Sequence, residues 1–460
     1  MQEPRRIFVL TIHHDIQNTS LYSMPINILI VGAGIGGIAL AILLQKSDPR
    51  HRITIVERHA SLRASGQQID IKNQAVDILK KLELLEAIKA RCVSETGLEV
   101  LSATGKPIAE FGISPAGEQR LTLTSEYEIM RGDIINVLYT ASCEQNARIQ
   151  ESPEEHGGFL RYEFDNTITG LTQDNASVGV TFAKGMDRSY DLVIGADGQG
   201  SATRRLAFGP DIRFKTCMPL GVHAAYYSIP SEAGDGTLAR TYSATKSRMI
   251  FTRSSNRPVT QVLLFTMQGT AKLQDIYKEP MEAQKKAFAD VFRGAGWNMK
   301  RLLDGLEKSN DFYANDLVQI KMDKLYTGRV ALLGDAGHCP SPFTGMGTAG
   351  AIIGAYVLAG ELARHTNSSD SHDISKALYS YDSNMRKPIQ QCQKLSPVPL
   401  RLLFPSTRLG VWMLQNVAWF MSKVAPAIQN GSGSDQGDGK GNSSSWDLPD
   451  YPELLLKDHL

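Results

Sequence analysis

At 460 residues the chain can hold three domains of ordinary size, or two sharing one large core, which leaves room to enclose a bulky ligand. Its 49 Lys and Arg against 48 Asp and Glu give a formal net charge of +1, without the basic excess that a nucleic-acid backbone demands, so nucleic acid is not an expected partner. A 42% hydrophobic, 21% charged composition belongs to a folding chain, and five scattered cysteines without metal-ligand spacing predict reduced thiols in a cytoplasmic protein and no metal site.

Residues 1–23 carry Arg5 and Arg6 before a short apolar run, then His13, His14 and Asp15 with no cleavage site, and read as an extension ahead of the fold. The apolar run 26–31 predicts a strand buried on both faces; 32–37 is Gly-Ala-Gly-Ile-Gly-Gly, a helix follows, and a second strand at 53–56 ends in Glu57-Arg58. This is a βαβ unit. Val76, Leu79, Leu82, Leu85 and Ile88 predict one amphipathic helix over 73–91. A hairpin is expected over 98–111, turning at Thr104-Gly105, then a strand at 121–128 and a helix from 130 to about 144.

Short strands follow over 161–182 and 191–194, and strands at 221–228, 248–252 and 261–266 with a helix at 281–294 indicate an inserted sheet domain. A buried strand returns at 329–333, with helices at 347–363 and 375–392. Trp412 and Trp419, seven residues apart, mark one face of a helix over 409–422, read as packing on the body in preference to touching a membrane surface. No run reaches the roughly 18 apolar residues of a membrane span. The Gly/Ser/Asp stretch that begins at 431 predicts a flexible tail over 431–460, whose last residues, 448–460, either dock weakly or hang free.

The glycine pattern has the context that gives it physical meaning: strand before, helix after, acid at the end of the next strand. Gly32 permits the tight turn and Gly34 lets a pyrophosphate approach the backbone. The helix opening through Gly37 offers N–H groups and a positive dipole, and Glu57 accepts from a ribose. A second formal match, from Gly345 and Gly347 to Gly350, lacks the tight strand-to-helix turn, since eleven residues including Pro340 and Pro342 separate Gly345 from Leu333. His338 and Cys339 have no Asp or Glu at triad or metal spacing and read as structural.

Two later segments narrow the reading. Residues 191–198, Asp-Leu-Val-Ile-Gly-Ala-Asp-Gly, with Ser201 and Arg204 beyond, and 328–338, Gly-Arg-Val-Ala-Leu-Leu-Gly-Asp-Ala-Gly-His, with Pro342, Gly345 and Gly347 beyond, resemble the signatures of single-component class A flavoprotein monooxygenases. They stand in that family's order and cover about 24–400, and the segment from Cys339 to Leu362 is most similar to tetracycline-inactivating and fungal secondary-metabolism members. The resemblance implies the p-hydroxybenzoate hydroxylase fold: an α/β architecture with a Rossmann-like FAD-binding domain, an inserted β-sheet substrate domain and a C-terminal helical region. The FAD domain would comprise 24–97, 129–205 and 322–370, the substrate domain 98–128 and 206–321, and the helical region 371–430.

By the same resemblance Glu57 and Arg58 hold the adenosine side, Arg131 the pyrophosphate or ribityl region, Asp335 a ribityl hydroxyl, and Asp70 lies near the flavin despite the unusual Gln67-Gln68 pair before it. Asp197 lies near the flavin phosphate, and the helix starting near Gly347 aims its dipole at the reduced ring. Phe343 matches a pocket-lining position, while His223, Tyr226, Arg240, Met249 and Phe251 are candidate liners on period-2 strands, with a general base unassigned.

The implied function is oxygenation of an electron-rich, aromatic or polyketide-like small molecule by hydroxylation or epoxidation, using FAD, O2 and NAD(P)H, with NADPH favoured, through a flavin C4a-hydroperoxide. A monomer is expected. The alternatives are a flavin-dependent dehydrogenase or reductase on the same fold, and a non-catalytic FAD-binding protein. A halogenase would carry Gly-Trp-x-Trp-x-Ile-Pro, which is absent around Trp297.

Overall fold

The computed structural model describes residues 25–63, 66–112, 127–151, 157–255, 257–366, 373–395, 399–431 and 446–456. The run at 26–31 becomes strand Asn27–Val31, the centre of a six-stranded sheet ordered Tyr326–Thr327, Val330–Leu332, Leu192–Gly195, Asn27–Val31, Arg52–Val56, Phe159–Glu163. All neighbours are parallel except the first pair. Ile28 and Ile30 face a helical layer formed by Ile35–Ser47, Arg131–Gln150, Gly347–Thr366 and Ile374–Cys392. Leu29 and Val31 face a three-stranded antiparallel sheet of Ile168–Gln173, Val178–Phe182 and Arg188–Tyr190. Covering both faces is what requires an unbroken apolar strand.

The inserted strands form a seven-stranded sheet ordered Tyr313–Ile320, Cys217–Pro230, Val259–Thr266, Arg248–Arg253, Leu238–Ala244, Gly97–Leu101, Pro107–Gly112. The predicted hairpin supplies its last two strands, joining by parallel pairing to Leu238–Ala244. One face of this sheet packs on helices Met281–Phe292 and Met299–Lys308; the other turns towards the parallel-sheet layer. A two-stranded ribbon, Gln68–Ile71 with Tyr127–Met130, runs between the two sheets. The mixed α/β architecture with an inserted β-sheet and C-terminal helices agrees with the sequence reading. Residues 1–23, most of the strand expected at 121–128, and 432–445 lie outside the described residues.

Three local expectations are corrected. The single helix over 73–91 is two, Gln74–Lys81 and Leu85–Lys89. Glu83 adopts a left-handed φ of 61°, and the N–H groups of Leu84 and Glu83 donate to the carbonyls of Leu79 and Lys80, a Schellman closure that lets Leu82 and Ile88 both bury in one core. The helix expected at 409–422 runs from Arg408 to Gly431, but its tryptophans face outward: Trp412 is 60% and Trp419 49% exposed. Val411, Leu414 and Ala418 form the half-buried face instead. No helix among the described residues is long and apolar enough to cross a membrane.

The third correction concerns the tail. Residues 446–456 dock on the helical layer, with Tyr451 and Leu454 buried. The Tyr451 ring fits against Gly360, where an added Cβ would lie 2.3 Å from the ring, and its hydroxyl donates to buried Glu361 at 2.7 Å. Gln74 and Arg364 donate to the carbonyls of Trp446 and Asp450. The small-residue helix thus creates a slot that the composition of the preceding linker conceals. Tyr451→Ala is expected to cost roughly 3–5 kcal/mol, as other buried aromatic truncations do. Tyr451→Phe should cost only about 1–3 kcal/mol, for the donor lost to Glu361. Denaturant unfolding midpoints unchanged by both substitutions would contradict the docking.

Candidate functional site

The turn after strand Asn27–Val31 is shaped by three different steric demands. Gly32 has a φ of 112°, and a Cβ there would stand 2.5 Å from the Ala196 carbonyl oxygen. At Gly37 a Cβ would stand 2.2 Å from the Gly32 carbonyl oxygen, so this helix can leave its strand only with glycine at that point. At Gly34 a Cβ would meet nothing within 4 Å, because the backbone there borders open space. Gly34 also caps helix Ile35–Ser47 without a side-chain hydrogen bond and with no acid in the first turn, leaving the N–H groups and positive helix end free for an anion. Glu57 braces the turn: its two carboxylate oxygens accept from the N–H groups of Ala33 and His59, both at 3.0 Å. Each oxygen keeps a lone pair for another donor.

Cations gather beside this turn. Arg58, Arg63 and Arg131 all act on His59, which is held below the ordinary imidazole range by burial and by these three charges, against the pull of Glu57. Burial and the Arg131 charge likewise lower the pKa of Arg63, whose guanidinium lies 4.8 Å from the centre of the Tyr313 ring. Among the described residues, none of the three arginines makes a salt bridge. Such a set of like charges is relieved by an anion, best by one with several oxygens. Arg131 also acts on Asp335, which is open to solvent yet deep among protein atoms. That enclosure raises the Asp335 carboxyl above its ordinary range, opposed by a hydrogen bond with Cys339 and by Arg131.

The remaining site candidates fall around the same cleft. Asp70 pairs with Lys72 at 2.8 Å, and its carboxylate lies 3.1 Å from where a Cβ on Gly345 would project. Gly345 has a φ of 62°, and Gly347 opens the long helix with no acid in its first turn. A Cβ added at either Gly36 or Gly334 would lie 3.4 Å from the Ala351 methyl of this helix, so the two helix starts converge at the carboxyl ends of the parallel strands. Asp197 adjoins Gly32, but its carboxylate is occupied by the Ser201 hydroxyl and by the N–H and hydroxyl of Thr203. It therefore shapes the turn rather than reaching outward. His338 is buried against Gly350 and Gly354, and the Cys339 thiol is pushed up by burial.

On the seven-stranded sheet, strand parity sorts the pocket candidates. Tyr226, Phe265, Met249 and Phe251 share the face turned to the cleft, where Phe343 and Phe404 join them. The Phe343 ring lies 6.0 Å from Phe265 and 6.2 Å from Phe404. His223 and Arg240 are corrected. His223 is an odd number of residues from Tyr226 on the same strand, so it faces the helices, bonding the Tyr277 hydroxyl at 2.6 Å. Arg240 shares the face of Tyr242 and is held by Glu99 and the Gly234 carbonyl. Arg63, Tyr313, Phe265 and Phe404 join the site without being among the residues expected from sequence. Phe265 was accessible from the alternation of strand 261–266, whereas Arg63 and Phe404 sit in loops that carry no periodic signal.

Residues 25–394 match the family model described as FAD binding domain. The chain belongs to this FAD-binding family. It is 35% identical over 436 residues to the FAD-dependent monooxygenase asL6 of Sarocladium schorii, covering 94% of this chain and 99% of that relative. It is 32% identical over 450 residues to the flavin-dependent monooxygenase eupH of Phoma sp, covering 93% and 98%. Among solved structures it resembles the tetracycline destructase Tet(51), with a TM-score of 0.68 at 26% identity over 88% of this chain and 98% of that one. Klebsiella pneumoniae HpxO complexed with FAD and uric acid shares the fold, with a TM-score of 0.60 at 18% identity over 89% of this chain and 98% of that one. The protein is an FAD-dependent monooxygenase of the class A fold.

The residues present fit FAD. The open space at Gly34, three arginines without carboxylate partners and a solvent-open acid at the bottom of the cleft suit a dinucleotide with a pyrophosphate centre and hydroxylated ends. Gly34→Ala and Gly37→Ala separate ligand space from fold space. Gly34→Ala should leave the unfolding midpoint of the flavin-free protein within about 0.5 kcal/mol of wild type, because its methyl meets no protein atom. FAD co-purification should nevertheless fall. Gly37→Ala should yield little folded protein. Equal flavin content and equal stability in both variants would contradict this division.

Proposed function

We propose that this monooxygenase oxygenates a neutral, largely apolar aromatic or polyketide-like molecule held between the cofactor cleft and the aromatic face of the seven-stranded sheet. The observation that carries this reading is the composition of that face. Tyr226, Phe251, Phe265, Phe343 and Phe404 dominate it, and among the described residues of the sheet face its one arginine, Arg253, is saturated by Glu95 and Glu128, each at 2.6 Å. Among the described residues, no cationic side chain of the face's own strands is left to recognise a carboxylate. An apolar ring instead gains from stacking and from expelling water.

FAD held there would supply the redox chemistry of a monooxygenase, with NAD(P)H as reductant and dioxygen as the source of one oxygen atom for the substrate and one for water. The chain would hold it by the Gly32–Gly34–Gly37 turn and the arginines at the pyrophosphate, by Glu57 at a ribose, and by Asp335 and the Gly345–Gly347 loop towards the ring end. The positive end of helix Gly347–Thr366 would favour negative charge placed before it. Burial raises the Tyr226 hydroxyl well above its ordinary value and, with Asp311, pushes Tyr313 up to about 12 against Arg131 and Arg63. Both phenols remain protonated at neutral pH, so they can orient a substrate as donors but do not deprotonate it. An electron-rich ring that needs no strong base is the matching acceptor.

Phe343 tests the reading, since it joins the cleft loop to the aromatic face. Phe343→Ala should retain FAD and continue to oxidise NADPH, while hydrogen peroxide released per NADPH rises several-fold and product falls, because a displaced acceptor loses proximity and water enters. Product yield per NADPH equal to wild type would remove Phe343 from the pocket wall.

A further inference from the structure

The structure leaves one surface that cofactor and substrate do not explain. Helix Arg408–Gly431 packs on the sheet edge through Val411, Leu414 and Ala418, and Gln415 donates to the Leu101 carbonyl. Its opposite side is the more apolar one. Leu409, Trp412, Met413, Val417, Trp419 and Phe420 are each 49–65% exposed, a contiguous set at helical spacing in which Asn416 is the main polar interruption. A monomeric protein rarely presents so many large apolar side chains along one helix without something to cover them.

The charges around this surface indicate what covers it. From Leu400 to Gly431 the chain contains no Asp or Glu, and its only charged residues are Arg401, Arg408 and Lys423, all exposed. Arg408 and Lys423 bracket the apolar set. Beyond the helix, exposed Lys106 precedes the strand it packs on, and exposed Lys246 donates its N–H to the Ser406 carbonyl at the helix approach. The acid nearest along that strand, Glu110, is half-buried and engaged within the protein. The two outward tryptophans thus lie on a helix that carries no acid and is bracketed by Arg408 and Lys423. Tryptophan at the centre and Lys or Arg at the margins is the composition of helices that lie in a bilayer interface, where the ring takes the headgroup depth and the cations meet anionic lipid.

We propose that the outer face of helix Arg408–Gly431 is a peripheral docking surface for an anionic lipid bilayer. The helix lies flat on the bilayer and does not span it. The docked face is continuous with the pocket wall: helix Leu400–Leu403 and Phe404 precede it, Phe404 packs on Phe343, and Pro405 and Ser406 are fastened to the turn at Lys246 and Ser247 by backbone hydrogen bonds. Docking therefore brings an apolar pocket wall to the lipid boundary.

The test uses the full-length, FAD-loaded protein in flotation with vesicles of phosphatidylcholine alone and of phosphatidylcholine with phosphatidylserine. The protein should float with the anionic vesicles, release in high salt, and show a blue-shifted tryptophan emission quenched by brominated lipid. Trp412→Glu with Phe420→Glu should reduce flotation by about tenfold or more while flavin content and melting temperature stay at wild-type values, since both side chains are exposed. Lys423→Glu should weaken binding to anionic vesicles and leave folding unchanged. Failure to float with the anionic vesicles would overturn the proposal. So would sedimentation showing a dimer that the Trp412→Glu, Phe420→Glu variant converts to monomer, because a second copy would then cover the face.

Discussion

The contact on which the site depends is the approach of Gly37 to the carbonyl of Gly32. Because no Cβ intervenes, helix Ile35–Ser47 starts directly on the end of strand Asn27–Val31, and the backbone at Gly34 is pressed to the border of open space. The same intimacy recurs where Ala351 meets Gly36 and Gly334, which draws the start of helix Gly347–Thr366 to the same end of the sheet. Two positive helix ends are thereby aimed into one cleft. Their placement follows from small side chains packed at strand ends, and it would be lost with a single added methyl at Gly37.

Around these helix ends the charges divide the cleft by function. Near the glycine turn stand arginines without carboxylate partners, and burial together with the crowding of positive charge lowers the pKa values of His59 and Arg63. At the opposite wall, Arg253 is neutralised by two acids, and what faces the cleft is aromatic. In the proposed function polar groups would serve the cofactor and apolar contact the substrate, which would keep water away from the place of oxygen transfer.

How much of this the sequence could show depends on how local each constraint is. The glycine turn, Glu57 and the strand before them lie within one βαβ unit, so spacing alone places them. The parity of strand Cys217–Pro230 was also available, and it puts His223 and Tyr226 on opposite faces, as the structure does. Arg253 was not legible as a neutralised group, because its partners Glu128 and Glu95 stand 125 and 158 residues away. Nor was the docking of Tyr451, whose slot at Gly360 is formed by a helix ninety residues earlier and is preceded by a linker of Gly and Ser. The break at Glu83 escaped for a different reason: a left-handed conformation at a glutamate has no glycine to announce it.

The central claim is that the glycine turn and the aromatic sheet face bound one continuous cleft holding cofactor and substrate together. Crystallography of the FAD-loaded enzyme tests it most directly. The account predicts density for the adenosine half at Glu57, the pyrophosphate beside Gly34 and Arg131, and the flavin ring between the Gly345–Gly347 loop and the wall that carries Tyr226 and Phe343. A flavin ring bound away from that wall, or phosphates that leave Gly34 and Arg131 uncontacted, would contradict it.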